Sequence, residues 1–343
     1  MNDKILGALV GAAAGDAMAS ATDGKSYNEI QNLYGSEIRD FVKPHPDTFS
    51  GDRERAQFTD AFSIPCYLIC GLIENGGKAN TELGCDILRK WGRSEYFRFA
   101  GMTTRKAVCA LLESQNNDSW GYLGNLGNKL YKGHYYALSS NGSACKAFPV
   151  GLLNAGNVEA AIHDAIEITM SSHDDALSLS GASAVAAATA ACFCDKASVF
   201  SITQAALHGA EEGKHQGDMR GDARDYPGPS TARRLEYAQQ IGLKYMDSNE
   251  VAVELRDVIG CGPEVAETVP TAFGLLIARK NNPLEALYDA VNIGDETCAL
   301  ATVVGALTGA LYGSKVFPSE WNETINEANR IDLDKLAEQL GAL

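Results

Sequence analysis

The stretches Gly7-Ala-Leu-Val-Gly11-Ala-Ala-Ala-Gly15 and Gly305-Ala-Leu-Thr-Gly309-Ala-Leu-Tyr-Gly313 stand near opposite ends of the chain and are almost the same sequence. Glycines four residues apart lie on one face of a helix and let a second backbone approach closely. Each such glycine lowers helix stability by about 1 kcal/mol relative to alanine, so close packing is expected in return. The repeat therefore predicts two helices in contact. The alternative is that small residues merely permit tight packing in an alanine-rich helical protein.

Each stretch borders carboxylates, because Asp16 follows the first and Asp295-Glu296 precedes the second. If the two helices pack antiparallel, the end of the first meets the start of the second, and acids from both chain ends share one small volume. Converging carboxylates are typical of a cation site or of acid–base chemistry.

The composition narrows the class of protein. The chain has 343 residues and a net charge of −15, which disfavours nucleic acid and anionic membranes as partners. The nine cysteines show no metal-ligand spacing, so we interpret them as core thiols of a reduced, cytoplasmic protein. The apolar run of residues 5–14 ends in Gly15-Asp16 rather than in a cleavage site, which favours a helix over an export signal.

Helical spacing with abundant alanine recurs along the chain, and alternating β-branched runs are scarce. The clearest helical segments are 104–113, 158–170, 182–193 and 284–291. We therefore predict an all-α fold, a compact helical bundle forming one domain over residues 1–343. Two loops are expected, at 43–57 and at 211–234, the second being either a binding loop or a disordered insert.

Four short elements place acids or polar groups at predicted helix starts. They are Gly15-Asp16 running on to Asp23, Thr59-Asp60, Asn141-Gly142-Ser143, and the run from Asn292 to Thr297. Taken singly, each is explained by helix capping and by the helix dipole. Taken together, they indicate an oxygen-ligand site for Mg²⁺ or Ca²⁺. The Asn-Gly-Ser turn is also suited to holding a phosphate. His173 has acids beside it, and this setting fits either a helix cap or a catalytic histidine.

The order of these motifs resembles the ADP-ribosylglycohydrolase family over nearly the whole chain. The resemblance rests on the two glycine stretches, Thr59-Asp60, Asn141-Gly142-Ser143-Ala144, His173 and the acidic run before Thr297. It implies the family's compact all-α fold and hydrolysis at the anomeric carbon of an ADP-ribosyl group with two Mg²⁺ ions. The family also includes dinitrogenase-reductase-activating glycohydrolases and the structural J1 crystallins, so fold alone does not imply activity.

The chain departs from the family pattern at the metal positions. The family's Thr-Asp-Asp is Thr59-Asp60-Ala61, and its Asp-x-Asp-Thr falls on Glu296-Thr297-Cys298-Ala299. Asp23 replaces a glutamate, and Lys146 replaces an arginine. The resemblance thus implies Thr59, Asp60 and Glu296 as metal ligands for one weakly held Mg²⁺ or none.

These residues lead to one main function and two alternatives. We expect a glycoside hydrolase with Asp60, Glu296 and Asp23 as catalytic acids and bases. Asn141, Gly142, Ser143 and His173 are then expected to bind a small sugar or nucleotide-like substrate, either ADP-ribosyl or nucleoside. The alternatives are a catalytically silent binding or structural relative and a standard two-Mg²⁺ hydrolase. Monomers and oligomers fit the sequence equally.

Overall fold

The computed structural model describes residues 1–113 and 139–343, and in these ranges the chain is helical without β-strands. The all-α prediction is therefore confirmed. The first five helices are α1 Asn2–Ala19, α2 Tyr27–Tyr34, α3 Asp60–Glu74, α4 Thr81–Trp91 and α5 Met102–Glu113. After the gap follow α6 Gly142–Cys145, α7 Phe148–Leu153, α8 Val158–Thr169, α9 Ala176–Ala191, α10 Val199–Met219 and α11 Thr231–Lys244. The last six are α12 Glu250–Val258, α13 Val265–Ala278, α14 Pro283–Asn292, α15 Thr297–Tyr312, α16 Glu320–Asn329 and α17 Leu333–Gly341.

Helices α1 and α15 lie antiparallel in backbone contact. A Cβ atom added to Gly309 would lie 1.9 Å from the carbonyl oxygen of Gly7, and one added to Gly305 would lie 2.0 Å from that of Gly11. At the other end of α1, a Cβ on Gly15 would lie 2.3 Å from the carbonyl oxygen of Ala301. Both the contact and its antiparallel direction are as the repeat predicts.

The same packing device joins α9 to α10. Gly209, Gly213 and Gly217 follow one face of α10, and a Cβ on Gly213 would lie 2.6 Å from the carbonyl oxygen of Leu179 in α9. The prediction of an irregular segment over 211–234 is therefore wrong in its first part, since α10 continues to Met219. These glycines are sites of close helix contact rather than helix breakers.

Residues from both ends of the chain enter one continuous hydrophobic core, from Ile5 in α1 to Leu340 in α17. The nine cysteines are free thiols. Most are buried as expected, but Cys109 and Cys194 are exposed, which corrects their assignment to the core. No helix in the described ranges is long and apolar enough to cross a membrane.

The α1–α15 contact predicts the effect of Gly309→Ala. Alanine favours an isolated helix by about 1 kcal/mol over glycine. Here the new methyl group meets a backbone carbonyl 1.9 Å away, so the two helices must separate. We expect the free energy of unfolding in urea to fall by about 2 kcal/mol or more.

Gly221→Ala is the control, because nothing lies within 4 Å of a Cβ at that position. We expect it to change the free energy of unfolding by less than about 0.5 kcal/mol. Equal stability of the Gly309→Ala variant and the parent chain would contradict the close contact.

Candidate active site

A cavity of about 540 Å³ opens where the starts of α3, α6 and α15 meet the loop that follows α1. Its volume suits a ligand of nucleoside or nucleotide size. Six of the residues that the sequence singled out line it, namely Asp23, Thr59, Asp60, Asn141, Gly142 and Glu296. The structure thus brings together the three predicted catalytic acids, although they come from both ends of the chain.

Asp16 has a structural role that the sequence did not reveal. Its carboxylate is fully buried and accepts hydrogen bonds from the backbone N–H groups of Thr59 and Phe62, both at 2.8 Å. It also accepts one from the Thr59 hydroxyl at 2.6 Å. Asp16 is therefore the N-terminal cap of α3, supplied from α1. This contact fixes the first turn of α3, where Asp60 lies.

Asp23 ties the loop after α1 to the start of α15. Its Oδ1 atom accepts a hydrogen bond from the Cys298 N–H at 2.9 Å, and the Thr297 hydroxyl lies 3.5 Å from the same oxygen. Burial, followed by the charge of Glu296, raises the pKa of Asp23 to about 7. The side chain is thus both a helix cap and a wall of the cavity.

The backbone before α15 holds Glu296 in place. Gly294 and Asp295 have φ angles of 97° and 63°, a left-handed conformation that is uncommon for aspartate. The Asp295 N–H donates to the carbonyl of Lys25 at 2.9 Å, and the Gly24 N–H donates to the carbonyl of Asp295 at 2.8 Å. These two hydrogen bonds hold the turn in which Glu296 directly precedes α15.

The carboxyl groups of Asp60 and Glu296 make no hydrogen bond to another side chain and no ion pair within the described ranges. Burial raises the pKa of Asp60 well above its usual value, and the charges of Asp16 and Asp23 raise it further. Burial also raises the pKa of Glu296, with a contribution from Asp295. Near neutral pH such a group of acids holds protons on some members and charge on others.

The Asn-Gly-Ser turn contributes only in part to the cavity wall. Asn141 and Gly142 line the cavity, and the Asn141 amide donates to the Thr268 hydroxyl at 3.2 Å. Ser143 is fully buried, and its hydroxyl donates to the backbone carbonyl of Ser140 at 2.9 Å. The structure therefore places Ser143 behind the wall rather than on it.

His173 also lies behind the wall. It is fully buried, with Nε2 at 2.8 Å from the hydroxyl of Ser140, a residue that lines the cavity. Its Nδ1 atom lies 2.8 Å from the hydroxyl of Ser172. Burial and the nearby charge of Lys146 lower the pKa of His173 well below its usual value, so the imidazole is neutral. In this position His173 orients Ser140 and does not itself reach the cavity.

Lys146 is a buried amine that forms no ion pair with a carboxylate of residues 1–113 and 139–343. It lines the cavity, its Nζ atom donates to the Ser172 hydroxyl, and the same atom lies 3.3 Å from Nδ1 of His173. Burial lowers the pKa of Lys146 to about 7. The cationic form is therefore costly here and easily lost.

Three carboxyl groups line the cavity, those of Asp60, Glu296 and Asp23. The other side-chain oxygens in the described lining are neutral: the hydroxyls of Thr103, Thr104 and Ser140, the Asn141 amide, and the Thr59 hydroxyl, whose proton is given to Asp16. In residues 1–113 and 139–343, no three His, Cys, Asp or Glu side chains lie in an arrangement that could hold a metal ion. Hard divalent cations require about six oxygen ligands, so these three carboxyls leave much of a coordination shell to neutral oxygens and water.

Three further lining residues stand where the resemblance implies metal ligands. Ala61 and Ala299 offer only methyl groups. Burial and the nearby acids raise the pKa of the Cys298 thiol well above its usual value, which disfavours the thiolate form that binds metals. The residues present do not fit a site for two Mg²⁺ ions.

Comparison with known proteins connects this site to a family. A family model described as ADP-ribosylglycohydrolase matches residues 1–343. The uncharacterized protein YegU of Escherichia coli strain K12 is 27% identical over 349 residues, covering 98% of this chain and 96% of YegU. An uncharacterized protein of Archaeoglobus fulgidus is 27% identical over 340 residues, covering 99% of this chain and 96% of that protein.

Two further similarities are more distant or shorter. The ADP-ribosylarginine hydrolase Tri1 of Pseudomonas putida strain GB-1 is 32% identical over 95 residues, covering 28% of this chain and 25% of Tri1. A solved structure described as an ADP-ribosylglycohydrolase-related protein complex superposes with a TM-score of 0.67 at 19% identity, covering 99% of this chain and 98% of that one. The superposition shows that the fold is shared.

The two aspartates around α3 predict opposite effects on stability. Asp16→Asn lacks one acceptor for the three hydrogen bonds at the start of α3, so we expect it to lower the free energy of unfolding by about 1–3 kcal/mol. Asp60→Asn removes a buried acid from among like charges. Since a raised folded pKa destabilises the fold above the unfolded value near 3.9, we expect Asp60→Asn to stabilise the chain at pH 7.

Urea unfolding of both variants at pH 7 and at about pH 4 measures these changes in the free energy of unfolding. The gain from Asp60→Asn should be much smaller near pH 4, where about half of the unfolded chains also carry this proton. A loss of stability at pH 7 from Asp60→Asn would show that this carboxyl is structural.

Lys146 predicts a stability effect with the opposite pH dependence. The folded chain releases the Lys146 proton near pH 7, whereas an unfolded lysine releases it near pH 10.4. The burial penalty is therefore full below about pH 7 and decreases as the pH rises toward 10. We expect Lys146→Met to raise the melting temperature more at pH 6 than at pH 9.

Lys78→Met is the matched control, because Lys78 is exposed. The difference in melting temperature between Lys78→Met and the parent chain should not vary over the same pH range. If the difference in melting temperature for Lys146→Met is also constant with pH, the Lys146 amine stays charged in the folded protein.

Proposed function

Because this chain belongs to the ADP-ribosylglycohydrolase family, we propose that it hydrolyses a glycosidic bond at the anomeric carbon of a ribosyl group. The observation that carries the proposal is the convergence of Asp23, Asp60 and Glu296 on one cavity, with no cation paired to any of them among the described residues. Glycoside hydrolysis needs one protonated and one ionised carboxyl group near the scissile bond. The substrate is an ADP-ribosyl, nucleoside or related small sugar conjugate.

The surroundings of the acids suggest their roles. Burial, followed by the charges of Asp16 and Asp23, raises the pKa of Asp60 well above its usual value, so we assign its carboxyl the role of the acid that protonates the leaving group. Glu296, which precedes α15, is half-buried, so we assign it the ionised role, in which it stabilises the oxocarbenium-like transition state or activates water. Asp23 holds the start of α15 and takes part in the same proton equilibrium.

Asn141 and Gly142 are suited to hold the sugar. The Asn141 amide nitrogen already donates to Thr268, and the amide oxygen is available to accept a hydrogen bond from a ribose hydroxyl. Gly142 brings backbone to the wall without a side chain. No step of this chemistry is assigned to a metal, because the donor set does not fit the family's two-ion site.

A second candidate function is a silent binding or structural relative. The observation in its favour is that Ala61, Cys298 and Ala299 line the cavity where the family resemblance implies ligands. Such a relative would still hold a ligand in the cavity but would show no turnover above background.

The test uses two substrates with different leaving groups. Asp60→Asn cannot donate a proton, so we expect it to lower kcat about 10²–10⁴-fold on a riboside with a poor leaving group. On 4-nitrophenyl ribofuranoside, whose leaving group needs no proton, the loss should be less than about tenfold. Glu296→Gln should slow both substrates, because its charge acts on the sugar. Equal losses from Asp60→Asn on both substrates would contradict the acid role.

Chelation separates the metal-dependent alternative. Protein treated with excess EDTA and dialysed should keep its turnover, and added Mg²⁺ should change it less than about twofold. Activity that vanishes with EDTA and returns with Mg²⁺ would establish the two-ion mechanism instead. If the parent chain matches the Asp60→Asn, Glu296→Gln double variant on every riboside, the silent relative is the correct reading.

A further inference from the structure

The cavity combines an acidic surface with an apolar one. Asp23, Asp60 and Glu296 supply the acidic part, and Ile64, Phe99 and Ala100 belong to the apolar part. Phe49, from the predicted loop of residues 43–57, also lines the cavity. It is 58% exposed whereas Phe99 is 4% exposed, so Phe49 marks the end of the cavity that is open to solvent.

Phe49 is supported from behind by a fixed aromatic group. Its ring packs edge-on against Phe99, with ring centroids 5.5 Å apart and planes at 75°. The guanidinium groups of Arg53 and Arg98 lie 4.8 and 4.5 Å from the centroid of the Phe99 ring. Arg53 is buried and also lies 4.9 Å from the Tyr96 ring centroid. An exposed ring on such a support is suited to stack against a flat ligand.

The charges of the described residues that line the cavity disfavour an anionic ligand. Among the described lining residues, three carboxyls face one amine, that of Lys146. That amine donates to the Ser172 hydroxyl and lies 3.3 Å from Nδ1 of His173. A diphosphate would bring further negative charge close to the carboxyls that are ionised, and like charges in a buried site repel.

We propose that the cavity binds an uncharged nucleoside, with the flat base against Phe49 and the ribose toward Asp60 and Glu296. The leaving group in the reaction is then the nucleobase, and a ribosyl diphosphate conjugate is a poor ligand. This inference rests on the proposed function for the hydrolytic step, but binding itself is measured without turnover.

The first experiment measures binding to the full chain by calorimetry. Formycin A and pseudouridine are nucleosides whose carbon–carbon glycosidic bond resists hydrolysis, so they report binding alone. We expect at least one of them to bind, and its 5′-monophosphate and ADP-ribose to bind at least tenfold more weakly. ADP-ribose binding more tightly than both nucleosides would overturn the proposal, as would the absence of binding by both at millimolar concentration.

The second experiment tests the place of the base. A base stacked on an aromatic ring loses that contact when the ring is replaced by alanine, so Phe49→Ala should weaken nucleoside binding about tenfold. Free ribose, which has no base, should bind equally to the variant and the parent. Phe200→Ala is the control, because Phe200 is an exposed ring outside the cavity lining. An unchanged Kd for the nucleoside in Phe49→Ala would show that the base does not stack on Phe49.

The two proposals fail in different ways. Tight, Phe49-dependent nucleoside binding without hydrolysis of any nucleoside supports the ligand class and overturns the hydrolase. Hydrolysis of an ADP-ribosyl substrate by a chain that does not bind nucleosides overturns the ligand class and leaves the hydrolase in place.

Discussion

The backbone contact between α1 and α15 is the constraint on which the rest of the molecule depends. At Gly7, Gly11 and Gly15 the two helices are so close that no β-carbon fits between them, so their relative shift along the axis is fixed within one turn. Because the helices are antiparallel, this register decides where the end of α1 meets the start of α15. The acids of the two chain ends are brought into one cavity by packing among glycines, without any attraction between the acids themselves.

The carboxylates near this junction differ in whether they cap a helix or line the cavity. The carboxylate of Asp16 accepts three hydrogen bonds at the start of α3 and does not line the cavity. Asp23 caps α15 and still lines the cavity, whereas Asp60 and Glu296 form no side-chain hydrogen bond in the described ranges. An acid that stabilises nothing in the fold and is kept in a place that raises its pKa is a good candidate for catalysis.

The sequence predicted the parts of this arrangement that depend on local pattern. Glycine spacing predicted the α1–α15 contact, and alanine-rich periodicity predicted helices α8, α9 and α14. The same glycine spacing at 209, 213 and 217 was missed, because the charged residues around those glycines resemble a loop. The partner helix α9, which directly precedes α10, is buried at every position. The cap that Asp16 supplies to α3, and the withdrawal of Ser143 and His173 behind Ser140, depend on tertiary contacts that no spacing encodes.

The departures from the family pattern are connected with the raised pKa values of the remaining acids. A bound divalent cation lowers the pKa of nearby carboxyls by stabilising their charge. Ala61, Cys298 and Ala299 offer no oxygen ligand, and without a cation burial and nearby acids raise the pKa of Asp60, Asp23 and Glu296. A raised pKa is what a carboxyl general acid requires near neutral pH. In the proposed hydrolase, the substitutions that reduce the metal ligands would therefore leave the remaining acids suited to proton transfer, provided that the substrate brings no negative charge of its own.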